Sequence, residues 1–215
     1  MTPVLQVFAR APVPGQCKTR LIPALGSEGA AQLQRRLAHH TLQTACAWRS
    51  CHAGTRIELW CAPDTGHPFF ADCASQYAVD LRTQPEGDLG ARMWLALVSA
   101  LRLRQSPVLI GTDCPWLDVA AISRLRLALK QNDCAFIAAE DGGYVAVGLA
   151  RAVPELFAGV TWGGAQVMAQ TRERARKAGA SLVETGCLPD LDLPADLQRL
   201  RSSPALAHLL PNIAQ

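Results

Sequence analysis

Short β-rich runs alternate with longer helical patterns along this chain. That alternation constrains the fold more than any other feature, because strands separated by helix-length crossovers pair in parallel. The runs are Val4–Phe8, Arg56–Cys61, Val79–Arg82, Val108–Ile110, Ala135–Ala138, Tyr144–Leu149 and Leu182–Glu184. Between them, residues 27–49 read as a helix capped by Ser27, with Leu33, Leu37, Leu42 and Cys46 near helical spacing. Residues 89–104 repeat Leu89, Met93, Leu97 and Leu101 every four positions, and residues 118–131 carry Ile122, Leu125 and Leu129. Residues 164–178 form a polar, Arg-rich fourth helix, and Pro194 suits a first helical turn, where its missing N–H costs nothing. No internal repeat and no Pro/Gly/Ser-rich linker divides the chain. The expectation is therefore an α/β fold, a single three-layer α/β/α domain over residues 1–215 with a mostly parallel central sheet.

Composition closes off other classes. With 49% hydrophobic and 18% charged residues the chain is neither disordered, nor collagenous, nor a long coiled coil. Lys plus Arg number 21 against 18 Asp plus Glu, a net charge of +3 that is too small to imply nucleic acid or an anionic membrane as partner. Charges and glycines interrupt every apolar stretch short of a membrane span. The first residues lack a basic start and a small-residue cleavage site, so the reading places the protein in the cytoplasm. There the eight cysteines read as buried, reduced thiols, since no C-x-x-C or zinc-knuckle spacing occurs.

In parallel α/β sheets ligands gather at the carboxyl ends of the strands, and five segments there carry chemistry. After the first run, Arg10, Lys18 and Arg20 surround a loop built on Pro12, Pro14 and Gly15. Prolines stiffen such a loop, glycine lets backbone approach a ligand, and three cations can meet a di- or triphosphate. A solvated basic loop is the alternative, and the segment is neither a P-loop nor G-x-G-x-x-G. Asp113 follows a strand directly in G-T-D-C-P-W-L, where a carboxylate suits a divalent ion bridging phosphates, or else a turn or cap. In L-P-D-L-D-L-P-A-D-L, Asp190 and Asp192 share one face of an extended chain, so one of them can join Asp113 on the metal. Asp190 reads equally as a turn residue, and Asp196 as a first-turn acid.

E-D-G-G-Y offers Asp141 as a base on an acceptor hydroxyl, a partner of a sugar hydroxyl, or a turn former, with Gly142 and Gly143 allowing close approach. Gln84 and Asp88 lie in Q-P-E-G-D-L-G, whose backbone N–H groups precede a helix; Asp88 is also a plain N-cap candidate. Trp162 offers an aromatic platform for a sugar or base, or an ordinary packed ring.

In order and across most of the chain, these segments resemble a GT-A-fold, glycosyltransferase-like family of bacterial proteins. Its pattern is K-x-P-x-P-G-x-x-K-T-R-L, then Q-x-x-G-D-L-G-x-R-M, G-x-D-x-P-x-L, D-G-G-Y-x-L-x-G-L, F-x-G-I-x-W-G-T and D-x-D-T-P-x-D-L. Here Arg10 stands where lysine is usual, Gly164 replaces a threonine after Trp162-Gly163, and Leu193 replaces the threonine before Pro194. More distantly the chain is similar to phospholactate and molybdopterin guanylyltransferases. The resemblance implies a Rossmann-like nucleotide-diphospho-sugar transferase fold. It implies Lys18 and Arg20 on phosphates, Asp113 and Asp192 on Mg²⁺ or Mn²⁺, and Asp141 facing the acceptor, beside Gly142, Gly143 and Trp162. The expected activity is metal-dependent transfer from a nucleotide-activated donor, either a sugar from a nucleotide sugar or a nucleotidyl group from an NTP. The expected partners are that donor and an acceptor of unspecified class. The alternative is a non-catalytic nucleotide- or partner-binding protein that keeps the fold.

Overall fold

In a computed structural model of the chain, which describes residues 1–211, one seven-stranded sheet runs through the molecule. The elements in chain order are β1 (Thr2–Arg10), α1 (Ile22–Cys51), β2 (Arg56–Ala62), α2 (Pro68–Tyr77), β3 (Asp80–Thr83), α3 (Leu89–Arg102), β4 (Gln105–Gly111), α4 (Val119–Ala128), β5 (Cys134–Ala139), β6 (Tyr144–Leu149), α5 (Val167–Lys177), β7 (Leu182–Leu188) and α6 (Asp196–Arg201). The strand order is β3-β2-β1-β4-β6-β5-β7, and only β6 runs antiparallel to its neighbours. β1 is an interior strand with residues 3–9 buried, because helices cover both faces; the one polar side chain in that stretch, Gln6, donates to Glu58 and to the Ala96 carbonyl. Four residues, 140–143, join β5 to β6, far fewer than a parallel crossover needs, so β6 has to reverse.

Two apolar layers flank the sheet. On one face Ala38, Leu42 and Trp48 of α1, Phe69 and Phe70 of α2, and Ile122 and Leu125 of α4 pack on Leu5, Val7, Leu59 and Ile110. On the other, Met93 and Leu97 of α3 and Met168 of α5 pack on Phe8, Leu109, Phe136 and Val147. A third cluster joins Leu197 and Leu200 of α6 to Leu21, Leu33, Leu37 and Leu191, anchoring the C-terminal segment beside the β1 loop. Among the described residues no helix is long and apolar enough to cross a membrane.

The α/β architecture and the parallel sheet agree with the sequence reading; several details differ. Helix α2 was not expected from the sequence. It is ten residues long and is held by Pro68 at its first turn, by the His67 imidazole accepting the Phe69 N–H, and by the buried face of Phe69, Phe70, Cys73 and Tyr77. Helix α1 begins at Ile22 rather than Ser27, and Gly26, at φ 68°, breaks it just before the expected start. Helix α5 starts at Val167 rather than at residue 164. The thiols are unbridged, but Cys51 and Cys187 are exposed rather than buried, and Cys46 is half-buried.

At the amino end of β5, Asp133 ties three strands together. Its carboxylate accepts from Arg151 Nε at 2.6 Å and from the Ser181 N–H at 2.8 Å, while its carbonyl accepts from the Ala150 N–H. The Arg151 hydrogen bond, helped by Ser181, holds this carboxyl down at about 2, against 3.8 ordinarily. A carboxyl depressed by folding stabilises the native state fully above its unfolded value and loses that contribution as pH falls toward its folded one. Asp133→Asn is therefore expected to melt at a lower temperature than the native protein at pH 7. The gap should narrow between pH 4 and pH 2; a gap constant across that window in melting curves overturns the assignment.

Candidate functional site

A cleft of about 460 Å³ opens at the carboxyl ends of β1 and β4. Successive strands run outward in opposite directions from this pair, so the cleft sits at the switch point of the sheet, where open α/β folds bind ligands.

The loop after β1 builds one wall. The Ala11 N–H bonds the Ala62 carbonyl, and the Gln16 N–H closes a turn on Val13 O. Gly15 adopts φ +78°, and Lys18 itself lies in the left-handed region at φ 47°, ψ 41°. This conformation is uncommon outside glycine and turns the Lys18 side chain inward, where it is only 4% exposed. Its ammonium donates to Asp113 Oδ1 at 2.6 Å and to the Leu191 carbonyl at 2.5 Å, while the Leu191 N–H bonds the Asp113 carbonyl at 2.8 Å. Three segments distant in sequence, the β1 loop, the β4 end and the acidic C-terminal segment, are clasped at one point. Arg20 pairs with Asp192 at 2.5 Å close by.

Gln84 and Gln34, which line the cleft themselves, brace this wall. Gln84 Nε2 donates to the carbonyls of Ala9 and Trp60, and Gln34 Nε2 to the Arg10 carbonyl and Thr112 Oγ1. The acidic C-terminal segment is shaped by Asp196, whose carboxylate accepts the N–H groups of Asp192 and Leu193. Asp190 faces the same cleft. Burial, then the charge of Asp141, with smaller contributions from Asp196 and Asp192, pushes its carboxyl up to about 6.

Also lining the cleft, Asp141 is the second residue of the β5–β6 turn, with its Oδ1 accepting the Gly143 N–H at 2.8 Å. Gly142, at φ +92°, lies so close to Ala165 that a Cβ would overlap that residue's carbonyl oxygen, and its own carbonyl accepts the Met168 N–H at 2.8 Å. Trp162 lies against Gly90 at the start of α3 and meets Tyr144 edge-on at 6.3 Å.

Of the residues singled out from the sequence, Arg10, Lys18, Arg20, Gln84, Asp113, Asp141, Gly143, Trp162 and Asp192 line the cleft together. Gly15, Gly142 and Asp88 do not, and Asp88 caps α3 by accepting the Ala91 N–H. Asp113 and Asp192 were expected as a metal-binding pair; in the structure each carboxylate is ion-paired, with Lys18 and Arg20 respectively. Among the described residues no three His, Cys, Asp or Glu side chains are gathered as a preformed metal cage. Gln34, Arg92, Met93 and Tyr144 line the cleft without having been singled out from the sequence, and Asp190, read as either a metal partner or a turn residue, lines it too. For Asp190 the period-two spacing with Asp192 was the available signal.

Comparison with curated proteins finds no match. Among solved structures, a candidate nucleotide-diphospho-sugar transferase from Desulfovibrio desulfuricans G20 is similar at 27% identity and a TM-score of 0.84, over 97% of this chain and 94% of that chain. The 4-diphosphocytidyl-2C-methyl-D-erythritol synthase of Anaerococcus prevotii DSM 20548 shares the fold at 11% identity and a TM-score of 0.60, over 98% and 97% of the two chains. A Mycobacterium tuberculosis H37Rv protein solved with manganese does so at 16% identity and 0.53, over 94% and 100%. The fold is thus that of the nucleotide-diphospho-sugar transferases. Residues 41–164, more than half of the chain, match a family profile, and the chain belongs to that family, described as an uncharacterized protein conserved in bacteria (DUF2064).

Proposed function

We propose that the chain acts as one domain, a divalent-metal-dependent transferase that takes its group from a nucleotide-activated donor. The observation that carries this reading is the clasp of Lys18, Asp113 and Leu191, which brings cations and carboxylates together at the sheet's switch point. Four cations, Arg10, Lys18, Arg20 and Arg92, and four acids, Asp113, Asp141, Asp190 and Asp192, line one cleft. Cations alone would suit any anion; the interleaved acids suit an anion that arrives with a dication.

The residues fit Mg²⁺ or Mn²⁺, since such hard ions take one or two protein carboxylates with phosphate oxygens and water completing the shell. Asp113, with Asp192 or Asp190, would hold it, and Asp141 lines the same cleft as a further acid whose charge a dication would offset. When bound, the ion supplies Lewis-acid stabilisation of charge that develops on phosphate oxygens. Lys18 and Arg20, paired with Asp113 and Asp192 in the structure, would be the cations that donate to the diphosphate. Gln84 and Gln34 hold the start of the β1 loop in place through the Ala9 and Arg10 carbonyls. Asp141, fixed by the Gly143 N–H, accepts the proton of the attacking acceptor hydroxyl.

If acids and cations share one metal–diphosphate site, each ligand strengthens the other, by linkage. A ligand at 100 times its Kd stabilises the native state by ~2.7 kcal/mol, or about 5–10 °C of melting temperature at this chain length. Mn²⁺ with the matching nucleotide or nucleotide sugar is expected to give such a rise, larger than the sum of the separate shifts. Asp192→Asn should abolish the excess. Strict additivity with both ligands bound moves the protein to a non-catalytic nucleotide binder. With a donor identified, release of pyrophosphate marks nucleotidyl transfer, and release of a nucleoside diphosphate marks glycosyl transfer.

A further inference from the structure

Residues 150–166 join β6 to α5 in two stretches of different character. The first is anchored, with Val153, Leu156 and Phe157 buried in the apolar layer that α3 and α5 cover. The second carries a tip, residues 161–164, that brings Trp162, Gly163 and Gly164 to the cleft. The tip is pinned at both ends. The Thr161 N–H bonds Gln170 Oε1 at 2.9 Å, and the Gly164 carbonyl accepts the Val167 N–H at 3.3 Å. Between these pins, among the described residues, neither Trp162 nor Gly163 makes a hydrogen bond. Gly163 sits at φ +80° with nothing within 4 Å of where a Cβ would be.

Trp162 reaches across to α3. Its ring lies on Gly90, the second residue of that helix, so closely that a Cβ there would fall 2.4 to 2.6 Å from indole atoms. Glycine is a poor helix residue, but any larger one at this position would unseat the ring. The seat is incomplete all the same, because the indole Nε1–H is buried on it and meets no acceptor among the described residues. A buried indole N–H ordinarily finds a partner, since losing water without gaining an acceptor costs free energy. Tyr144, edge-on to the indole at 6.3 Å, is little better served, its hydroxyl reaching only the Met93 sulfur at 3.9 Å, a weak acceptor. The ring therefore holds to α3 by apolar contact alone. Swinging it off Gly90 breaks no hydrogen bond and gives its N–H access to water or to a ligand.

We propose that Trp162 is a gate on the cleft, shut when its indole is seated on Gly90 and open when the ring swings away from α3 to admit a ligand, with Gly163 taking up the change in the backbone. That a nucleotide is what passes the gate rests on the transferase reading; the motion itself does not.

The motion is read by fluorine NMR on the full chain labelled with 5-fluorotryptophan, the Trp162 resonance being the one that Trp162→Phe removes. In Gly90→Ala the ring has no seat, so its resonance should move and show the full H₂O/D₂O shift of an exposed indole. In the native protein with no ligand added, saturation at that new position should diminish the seated line; absence of exchange between the two positions overturns the proposal. Trp162→Ala removes the ring and keeps Gly90, so it stands in where Gly90→Ala fails to fold. Mant derivatives of ADP, CDP, GDP and UDP are then mixed with each protein and Mg²⁺ in stopped flow. An open state holding about a tenth of the population slows entry about tenfold, so a nucleotide that binds should enter both variants about ten times faster than the native protein. Entry into Trp162→Ala no faster than into the native protein overturns the gate. Loss of binding in that variant also overturns it, by making the ring a fixed part of the binding surface. Binding of no nucleotide to any of the three proteins refutes the transferase reading instead, and the exchange measured without ligand then decides the gate.

Discussion

If the proposed metal-dependent transfer holds, Asp113→Asn is expected to cut turnover by about a hundredfold or more, because an amide keeps the shape of the carboxylate but not the charge that would hold a dication worth several kcal/mol to the transition state. The structure adds a second consequence. Asp113 is also the counter-ion of Lys18, whose side chain is 4% exposed, so the variant leaves a buried ammonium with only the Leu191 carbonyl. Asp113 is itself 57% exposed, and water screens the pair, so the loss is placed at about 1–2 kcal/mol, below the range for fully buried charged hydrogen bonds. That corresponds to roughly 2–8 °C of melting temperature. The two effects separate in the double variant Lys18→Met/Asp113→Asn. Replacing both charges by groups of similar shape removes the unpaired ammonium, so stability returns while turnover does not. Full metal-dependent activity in Asp113→Asn would remove Asp113 from the metal site, and a double variant no more stable than the single one would remove Lys18 as its partner.

The clasp also shows which parts of this molecule its sequence displays. Strand positions were legible because a sheet covered on both faces writes its interior strands as nearly continuous apolar runs, as residues 3–9 do around the single Gln6. The reversal of β6 was legible in Gly142-Gly143, since no crossover fits in four residues. Helix α2 was not, because its ten residues offer only a short stripe, Phe69, Cys73 and Tyr77 with Phe70 beside it, and no acidic cap, so that packing on α1 and β3 has to complete its stability. The same division holds at the cleft. Loop residues after strands, such as Lys18, Asp113 and Asp141, are placed by topology, which the sequence predicts. Gln34 and Arg92 sit within α1 and α3, and only the rotation of each helix against the sheet turns them toward the cleft. The environment of Asp190 was hidden for a related reason: it comes from burial and from the charge of Asp141, 49 positions away, and not from its own segment.

The largest stability loss from one methyl group is expected at Gly142. Its φ of +92° lies where an L side chain is strained, by about 1–3 kcal/mol, and its Cβ would enter the Ala165 carbonyl oxygen. No rotamer relieves contact with backbone. The 163–167 segment must move, and the bond from the Met168 N–H to the Gly142 carbonyl goes with it. Gly142→Ala is therefore expected to cost about 3 kcal/mol or more, lowering the melting temperature by roughly 6–12 °C. Gly163→Ala supplies the control, since Gly163 has a comparable φ of +80° with nothing within 4 Å of a Cβ. It carries the strain without the overlap, so it should fall short of Gly142→Ala by at least ~1 kcal/mol. Equal losses in the two variants would show that strain alone acts and that the approach to Ala165 has no energetic consequence. The overlap also bears on the cleft, because Gly142 lies between Asp141 and Gly143, whose hydrogen bond fixes the Asp141 carboxylate. Moving that turn displaces the proposed base, so in Gly142→Ala the loss of turnover should exceed what the unfolded fraction accounts for at temperatures well below its melting point.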